Sequence, residues 1–268
     1  MKSTETYTVI TGASMGLGKE MAIECARRGK NLILVALPGR NLKQLCGELE
    51  LEFGIKAECK ECDLTDEHEL EVLCSQIISE YSIDQLINNA GVGGAARFDE
   101  ASVESLDRII HLNIRATTIL TRFLLPELKS HPRALIMNVA SVAAFGALPY
   151  KTIYPASKAF IYSFSRSLSK ELRKTSVKVV VIAPGPMITN PDVALRIIKQ
   201  GALCRIGLLT AGQVSRLAIS GAELGKEVIV PGIMNRLNRF LIRWTPEALR
   251  LSIMERVLRK ELTDNIHK

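Results

Sequence analysis

Short apolar runs alternate with longer stretches of helical periodicity along most of the chain. The segments TYTVIT (6–11), NLILVA (31–36), KAECKEC (56–62), QLINN (85–89), ALIMNV (134–139), KVVVIA (178–183) and EVIV (227–230) predict strands. The strongest are unbroken runs of Val, Ile and Leu, as expected of strands covered on both faces by crossover helices. Helical patterns separate them at 18–29, 41–53, 66–81, 102–129 and 154–174. Strand and helix in steady alternation predict an α/β fold with a doubly wound parallel sheet of about seven strands flanked by helices. No segment reads as a linker or an internal repeat, so residues 1–268 are expected to form one domain.

The rhythm loosens after residue 184. PGPMITNPDVALRIIKQG carries three prolines and predicts a loop leading to a short helix, with about 186–225 read as a loop and lid region. Thr210 and Gln213 fit a capping box that opens another helix. Residues 233–268 are expected to form a helical C-terminal extension, in which Thr245 can cap a helix with Pro246 at its first position. There Met234, Leu237, Leu241 and Trp244 share one face, and Arg236, Arg239 and Arg243 another.

Composition narrows the functional classes. Apolar residues make up 47% and charged residues 24% of the chain, ordinary values for a globular protein. No run approaches 18 consecutive apolar residues, so no integral membrane segment is expected. The N-terminus reaches its first strand within ten residues, which leaves no room for a targeting peptide, and a cytoplasmic protein is expected. The six cysteines are scattered through helices and strands, and Cys59-x-x-Cys62 lacks the second pair a metal site would want. No metal is therefore expected. The net charge of +7 and aromatic content of 5% do not support nucleic-acid binding.

Residues 9–18, VITGASMGLG, satisfy two motifs at once. Gly12-Ala13-Ser14-Met15-Gly16 reads as the G-x-S-x-G elbow of a serine hydrolase. Such an elbow follows a mid-sheet strand and needs a late strand-end histidine, and none of His68, His111, His131 and His267 is placed for that. A phosphate-cradling turn uses all three glycines: Gly12 turns tightly, Gly16 admits the pyrophosphate, and Gly18 lets the helix approach the sheet. Ser14 is then a hydrogen-bond donor to cofactor, and Leu17 belongs to the same turn.

The spacing T-G-x-x-x-G-x-G, followed by NNAG (88–91) and YPASK (154–158) in that order, resembles the classical short-chain dehydrogenase/reductase family. The resemblance covers about residues 5–190 and implies a Rossmann-like fold, a nicotinamide cofactor and oxidoreduction of C=O and CH–OH groups. Tyr154 and Lys158 stand four apart on a helix and share a face. A free tyrosine, with a pKa near 10, is about three units too weak an acid for proton exchange at neutral pH. Lowering it that far needs roughly 4 kcal/mol of differential stabilisation, expected from Lys158 together with a positively charged nicotinamide. The resemblance further implies that Ser141 orients the substrate oxygen and that Asn113 supports a proton-relay water. Ala140 stands where the family usually has another serine, leaving Ser141 as the candidate.

The resemblance also implies cofactor contacts from Asp63 and Leu64 at the adenine, and from Asn89, Ala90 and Gly91 along the ribose. Pro184, Gly185 and Thr189 match P-G-x-x-x-T near the nicotinamide. Asp84 is read as structural. The end of the second strand carries Ala36 and Leu37 where an acid would bind the ribose 2′-hydroxyl, and no acid follows until Glu48. NADP is therefore expected, with Arg40 reaching the 2′-phosphate and NAD the alternative. Val142, Phe145, Leu148, Pro149, Ile153, Met187, Ile188 and Val193 are candidates for the substrate side. They imply a hydrophobic ketone or secondary alcohol: a steroid, an acyl chain or an aromatic. A homodimer or homotetramer built through 102–129 and 154–174 is implied too. The other classes considered are a non-catalytic nucleotide-binding regulator and a membrane-surface protein using its basic C-terminal helices.

Overall fold

The computed structural model describes residues 5–188 and 208–266, without the side chains of Ile188, Arg243 and residues 257–266. Thr189, Val193, Cys204 and His267 lie outside the described residues. The described strands are β1 (Thr6–Thr11), β2 (Asn31–Ala36), β3 (Ala57–Glu61), β4 (Ser82–Asn88), β5 (Ala134–Val139), β6 (Val177–Ile182), β7 (Met187–Ile188), β8 (Leu209–Thr210) and β9 (Val228–Ile229). The helices are α1 (Gly16–Arg27), α2 (Leu42–Phe53), α3 (Glu67–Glu80), α4 (Val103–Ile110), α5 (Thr117–Ser130), α6 (Ile153–Glu171), α7 (Ala211–Glu223), α8 (Ile233–Trp244) and α9 (Glu247–Ile266).

Seven strands form one parallel sheet in the order β3-β2-β1-β4-β5-β6-β9. In register, Val9 of β1 lies between Ile33 of β2 and Leu86 of β4. Strand order reverses between β1 and β4, which opens a crevice beyond their carboxyl ends. Alternate residues feed two cores. Ile10, Leu34, Met137 and Ile182 meet α1, α2 and α7 on one face, whereas Val9, Ile33, Leu86 and Ile136 meet α3 and α5 on the other. This two-sided burial explains why the central strands read as continuous apolar runs. Lys30 pairs with Asp84 at 2.9 Å, tying β4 beside β1.

The pleat also divides the C-x-x-C pair. Cys59 packs toward Cys46 in one core and Cys62 joins Cys74 in the other, as residues three apart in a strand must. Burial pushes the thiols of Cys46 and Cys62 up to about 12.

Three expectations change. The helix expected over 102–129 is interrupted by a π-helical segment, His111–Ala116, between α4 and α5. The stretch read as loop and lid contains α7, whose Val214, Ala218 and Ile219 belong to the main core beside Met21 and Cys25 of α1. Its capping box is present, with Thr210 Oγ1 accepting from the Gln213 amide and Gln213 accepting from the Thr210 amide. Thr245 does not cap α9: its hydroxyl donates to the Leu241 carbonyl at 2.8 Å, finishing α8 instead. The two faces of α8 are separated as expected but inverted relative to a helix that buries its apolar stripe. Ile233, Leu237, Phe240, Leu241 and Trp244 are exposed, while Arg236 and Arg239 reach the body of the protein. Among the described residues no helix is long and apolar enough to cross a membrane.

Candidate active site

The glycine turn after β1 is built without slack. Gly12 and Gly16 both have positive φ, 64° and 56°, which side-chain-bearing residues rarely adopt. A Cβ on Gly18 would lie 2.1 Å from the Gly12 carbonyl oxygen, so only glycine lets α1 close on the turn. The N-cap of α1, Met15, makes no side-chain capping bond, and the first turn holds no acidic residue. Its amides and the positive end of the helix are thus left for an anion.

This turn borders a groove of about 470 Å³ that collects most of the expected cofactor residues. Gly12, Ser14, Gly16, Leu17, Arg40, Asp63, Leu64, Asn89, Ala90 and Gly91 all line it, as do Ala36 and Leu37. Asn89 also braces the glycine turn, its side-chain amide donating to the carbonyls of Thr11 and Gly12 at 2.9 and 3.2 Å. The Thr11 hydroxyl accepts from the backbone amides of Asn89 and Ala90 at 3.0 Å each. Sequence reasoning missed this role, although Thr11 heads the T-G-x-x-x-G-x-G motif. Asp63 is oriented by Thr65, whose amide and hydroxyl both donate to it. Glu61 accepts from the Gly39 amide and so shapes the turn carrying Arg40. Pro184 and Gly185 follow β6 outside this groove, Gly185 packed against Asn235 of α8.

Asn113 is buried in the π segment. Its Oδ1 accepts from the Val92 amide, and its Nδ2 donates to the Val92 carbonyl and to Ser157 Oγ, each at 2.9 Å. Ser157 in turn donates to the Tyr154 carbonyl at 2.7 Å. One side chain therefore ties the loop after β4 to the first turn of α6. That uses both amide hydrogens and one of the two lone pairs on Oδ1. A π turn, with its i,i+5 pairing, is a local widening often found at functional sites.

Tyr154 and Lys158 share a face of α6, the Lys158 ammonium lying 5.9 Å from the centre of the Tyr154 ring. Lys158 is buried and donates to the Val139 carbonyl at 2.9 Å. Burial draws its pKa down to about 8. Burial pushes the Tyr154 phenol above the ordinary value of 10.0, and its hydrogen bond with Ser141 acts in the lowering direction. In the protein's own groups the loss of water around the ring dominates, and the acidification expected from Lys158 together with a positively charged nicotinamide is a property of the coenzyme-bound site. Ser141 also caps the 3₁₀ turn Val142–Phe145, accepting from the Ala143 amide at 3.1 Å. The backbone passes close to these groups. A Cβ on Gly93 would sit 3.2 Å from Cδ2 of Tyr154, and one on Gly91 would sit 3.2 Å from the Lys158 ammonium.

A cleft of about 540 Å³ opens beside Tyr154, lined by Val92, Gly93, Ala96, Phe98, Ile109, Tyr150 and Ile153. Arg108 and Lys151 also border it, adding cations to a wall expected to be apolar throughout. Arg108 lines the cofactor groove as well, and sequence reasoning missed it because a lone arginine on an exposed helix carries no local signal. Tyr150 adopts the left-handed backbone conformation, φ 63°, and its carbonyl accepts from the Ala96 amide at 2.8 Å, joining the two loops that frame this cleft. Of the eight substrate-side candidates, Ile153 alone lines this cleft among the described residues. Phe145 and Leu148 border a separate cleft against α9, and Met187 packs on the main core. Among the described residues no group of His, Cys, Asp or Glu could hold a metal ion.

Residues 6–197 match the family model described as short chain dehydrogenase. The chain belongs to the short-chain dehydrogenase/reductase family. It is an oxidoreductase of the NAD(P)-binding, Rossmann-like class. An uncharacterized oxidoreductase of Staphylococcus epidermidis is 32% identical to this dehydrogenase/reductase over 191 residues, 71% of this chain and 81% of that protein. A very-long-chain 3-oxoacyl-CoA reductase of Kluyveromyces lactis is 35% identical over 189 residues, 68% of this chain and 55% of the relative. Mouse 17-beta-hydroxysteroid dehydrogenase type 3 is 32% identical, covering 69% and 61%. Among solved structures, the bulky-bulky ketone specific alcohol dehydrogenase of Comamonas testosteroni superposes with a TM-score of 0.75 at 26% identity, covering 92% of this chain and 97% of that one. A short-chain dehydrogenase of Sphingobium yanoikuyae in complex with NADPH gives 0.76 at 26% identity, with 91% and 97% covered.

Proposed function

We propose that this enzyme interconverts a hydrophobic ketone and its secondary alcohol with NADP(H), using Tyr154 as general acid/base. The observation that carries the reading is the convergence of Ser141, Tyr154 and Lys158 between a glycine-cradled groove and a largely apolar cleft. The cradle fits a dinucleotide: Gly12 and Gly18 admit no Cβ, and the uncapped start of α1 turns free amides toward a pyrophosphate. A nicotinamide held by these residues would supply or accept the hydride and, when oxidised, would bring a positive charge to the site.

In the reducing direction Tyr154 gives its proton to the carbonyl oxygen as the carbon is reduced; in the oxidising direction it takes that proton back. Ser141 donates to the same oxygen and fixes its approach. Lys158 would hold the ribose and, together with a positively charged nicotinamide, favour the phenolate. Asn113 keeps loop and helix in place, with the widened turn available for a relay water. Thr189 is assigned to the cofactor by the family motif alone. NADP is favoured over NAD because β2 ends in Ala36 rather than an acid, with Arg40 in the groove near that end. The hydrophobic substrate is supported by the apolar lining beside Tyr154 and by relatives named for 3-oxoacyl-CoA and 17-beta-hydroxysteroid chemistry. A homo-oligomer joined through α5 and α6 agrees with the exposure of Phe123 and Phe160 on those helices.

Fluorescence titration with NADPH and NADH, then a panel of steroid, acyl and aromatic ketones, tests the reading. NADPH is expected to bind at least about tenfold tighter, the worth of one charge-assisted contact. Tyr154→Phe is expected to lose about 10²–10⁴-fold in kcat while binding coenzyme normally. Coenzyme binding without turnover of any ketone or alcohol by the native protein would instead mark a regulator.

A further inference from the structure

The turn carrying Ser141 is held from two sides. Toward the sheet, the Val142 amide donates to the Pro184 carbonyl at 3.0 Å. On its outer side the C-terminal helices do the holding. Phe145, which ends the turn, meets Tyr162 of α6 edge-to-face at 5.1 Å. The Arg239 guanidinium of α8 lies over both rings, 4.8 Å from the centre of Phe145 and 5.8 Å from that of Tyr162. It also donates to the Tyr162 hydroxyl at 3.0 Å. At the next residue, a Cβ on Gly146 would sit 3.1 Å from Nε of Arg250, on α9. Arg250 donates through Nη1 to the Ile242 carbonyl at 2.9 Å, so α8 and α9 are joined where they press on the turn.

We propose that Arg239 is a positioning residue for the reaction: by clamping Phe145 to Tyr162 it fixes the turn at 141–145, and with it the Ser141 hydroxyl, relative to Tyr154. The geometry favours this over simple helix attachment. Tyr162 stands two turns beyond Tyr154 on the same helix, so the grip references the serine turn to the element that carries the acid/base. A cation held within 6 Å of both ring centres and bonded to one hydroxyl fixes the two rings relative to each other. Among the described residues Arg239 has no carboxylate partner, unlike Arg166, which pairs with Glu227 at 2.8 Å. The proposal rests on the reading of Ser141 and Tyr154 given above.

The test is a double-mutant cycle on the purified full chain, using the best ketone substrate, with Arg239→Ala, Ser141→Ala and both together. Arg239→Ala is expected to lower kcat about tenfold in the native background and less than about twofold in the Ser141→Ala background. Coenzyme Kd, read by NADPH fluorescence, stays unchanged, and Arg239→Lys regains part of the loss because an ammonium keeps the cation over the rings without the guanidinium's planar contact area. Equal losses in both backgrounds, or a loss confined to coenzyme affinity, would overturn the proposal while leaving the site reading intact. A Ser141→Ala enzyme at native kcat would overturn the site reading and this proposal with it. Should Arg239→Ala fail to fold, Tyr162→Phe removes only the hydroxyl acceptor and passes through the same cycle with the same two outcomes.

Discussion

Lys158 shows how much a single buried group can set. With a folded pKa of about 8 against an ordinary 10.5, it binds fewer protons in the folded than in the unfolded chain between those values. Stability should therefore rise with pH from about 8 toward 10 as the unfolded chain keeps a proton that the folded protein has shed. Lys158→Met, which removes the charge, should lack this rise, and the difference between the two proteins across the window is at most about 3 kcal/mol. Denaturant unfolding of both from pH 7 to pH 10 checks it; parallel curves would contradict the account. The unpartnered Val139 carbonyl left behind shifts the variant equally at every pH, so the slope is the readout. Gly93→Ala makes a second prediction. Its Cβ must push on the Tyr154 ring, so kcat should fall several-fold while thermal stability changes by less than about 1 kcal/mol. Steady-state kinetics with calorimetry would show the split. Tyr154 and Lys158 are legible in the sequence because YPASK follows the glycine turn and NNAG in the order that carries the family resemblance, the four-residue spacing adding only that they share a face. The approach of Gly93 is not, because contact across two loops has no local signature.

At the level of elements, the period-2 and period-3.6 patterns carry nearly everything that forms a continuous strand or helix. Boundaries move where side chains, rather than hydropathy, decide them. Asn113 sits in a π segment that hydropathy reads through, since the buried positions Ile109, Asn113, Ala116, Leu120 and Leu124 keep a helical spacing across it. Thr245 goes to α8 because its hydroxyl and its own amide both donate to the Leu241 carbonyl, a choice between two helix ends that local sequence leaves open. Thr210, by contrast, caps as its motif predicts. Thr210→Ala should cost about 1 kcal/mol, seen as a fall in Tm of about 2–4 °C.

Over the whole molecule, the crevice at the β1/β4 reversal gathers residues that arrive from several separate strand ends and loops. That gathering is readable because doubly wound topology places every strand's carboxyl end on one edge. The clefts are less readable: Phe145 and Leu148 turn toward α9 because that helix packs where a pocket wall is expected. Coenzyme choice belongs to this scale as well. Arg40→Ala should erase most of the NADPH preference while leaving NADH affinity within about twofold, as paired titrations would show.

The left-handed backbone at Tyr150 has a practical reach. Saturation libraries aimed at the wall beside the phenol will be filtered first by main-chain torsion and only then by fit to substrate. Glycine and asparagine enter that position freely, whereas valine or isoleucine carries an added penalty of about 1–2 kcal/mol before it meets any ligand. Redesign of selectivity is better begun at Ile153 or Phe98, where the chain imposes no such restriction.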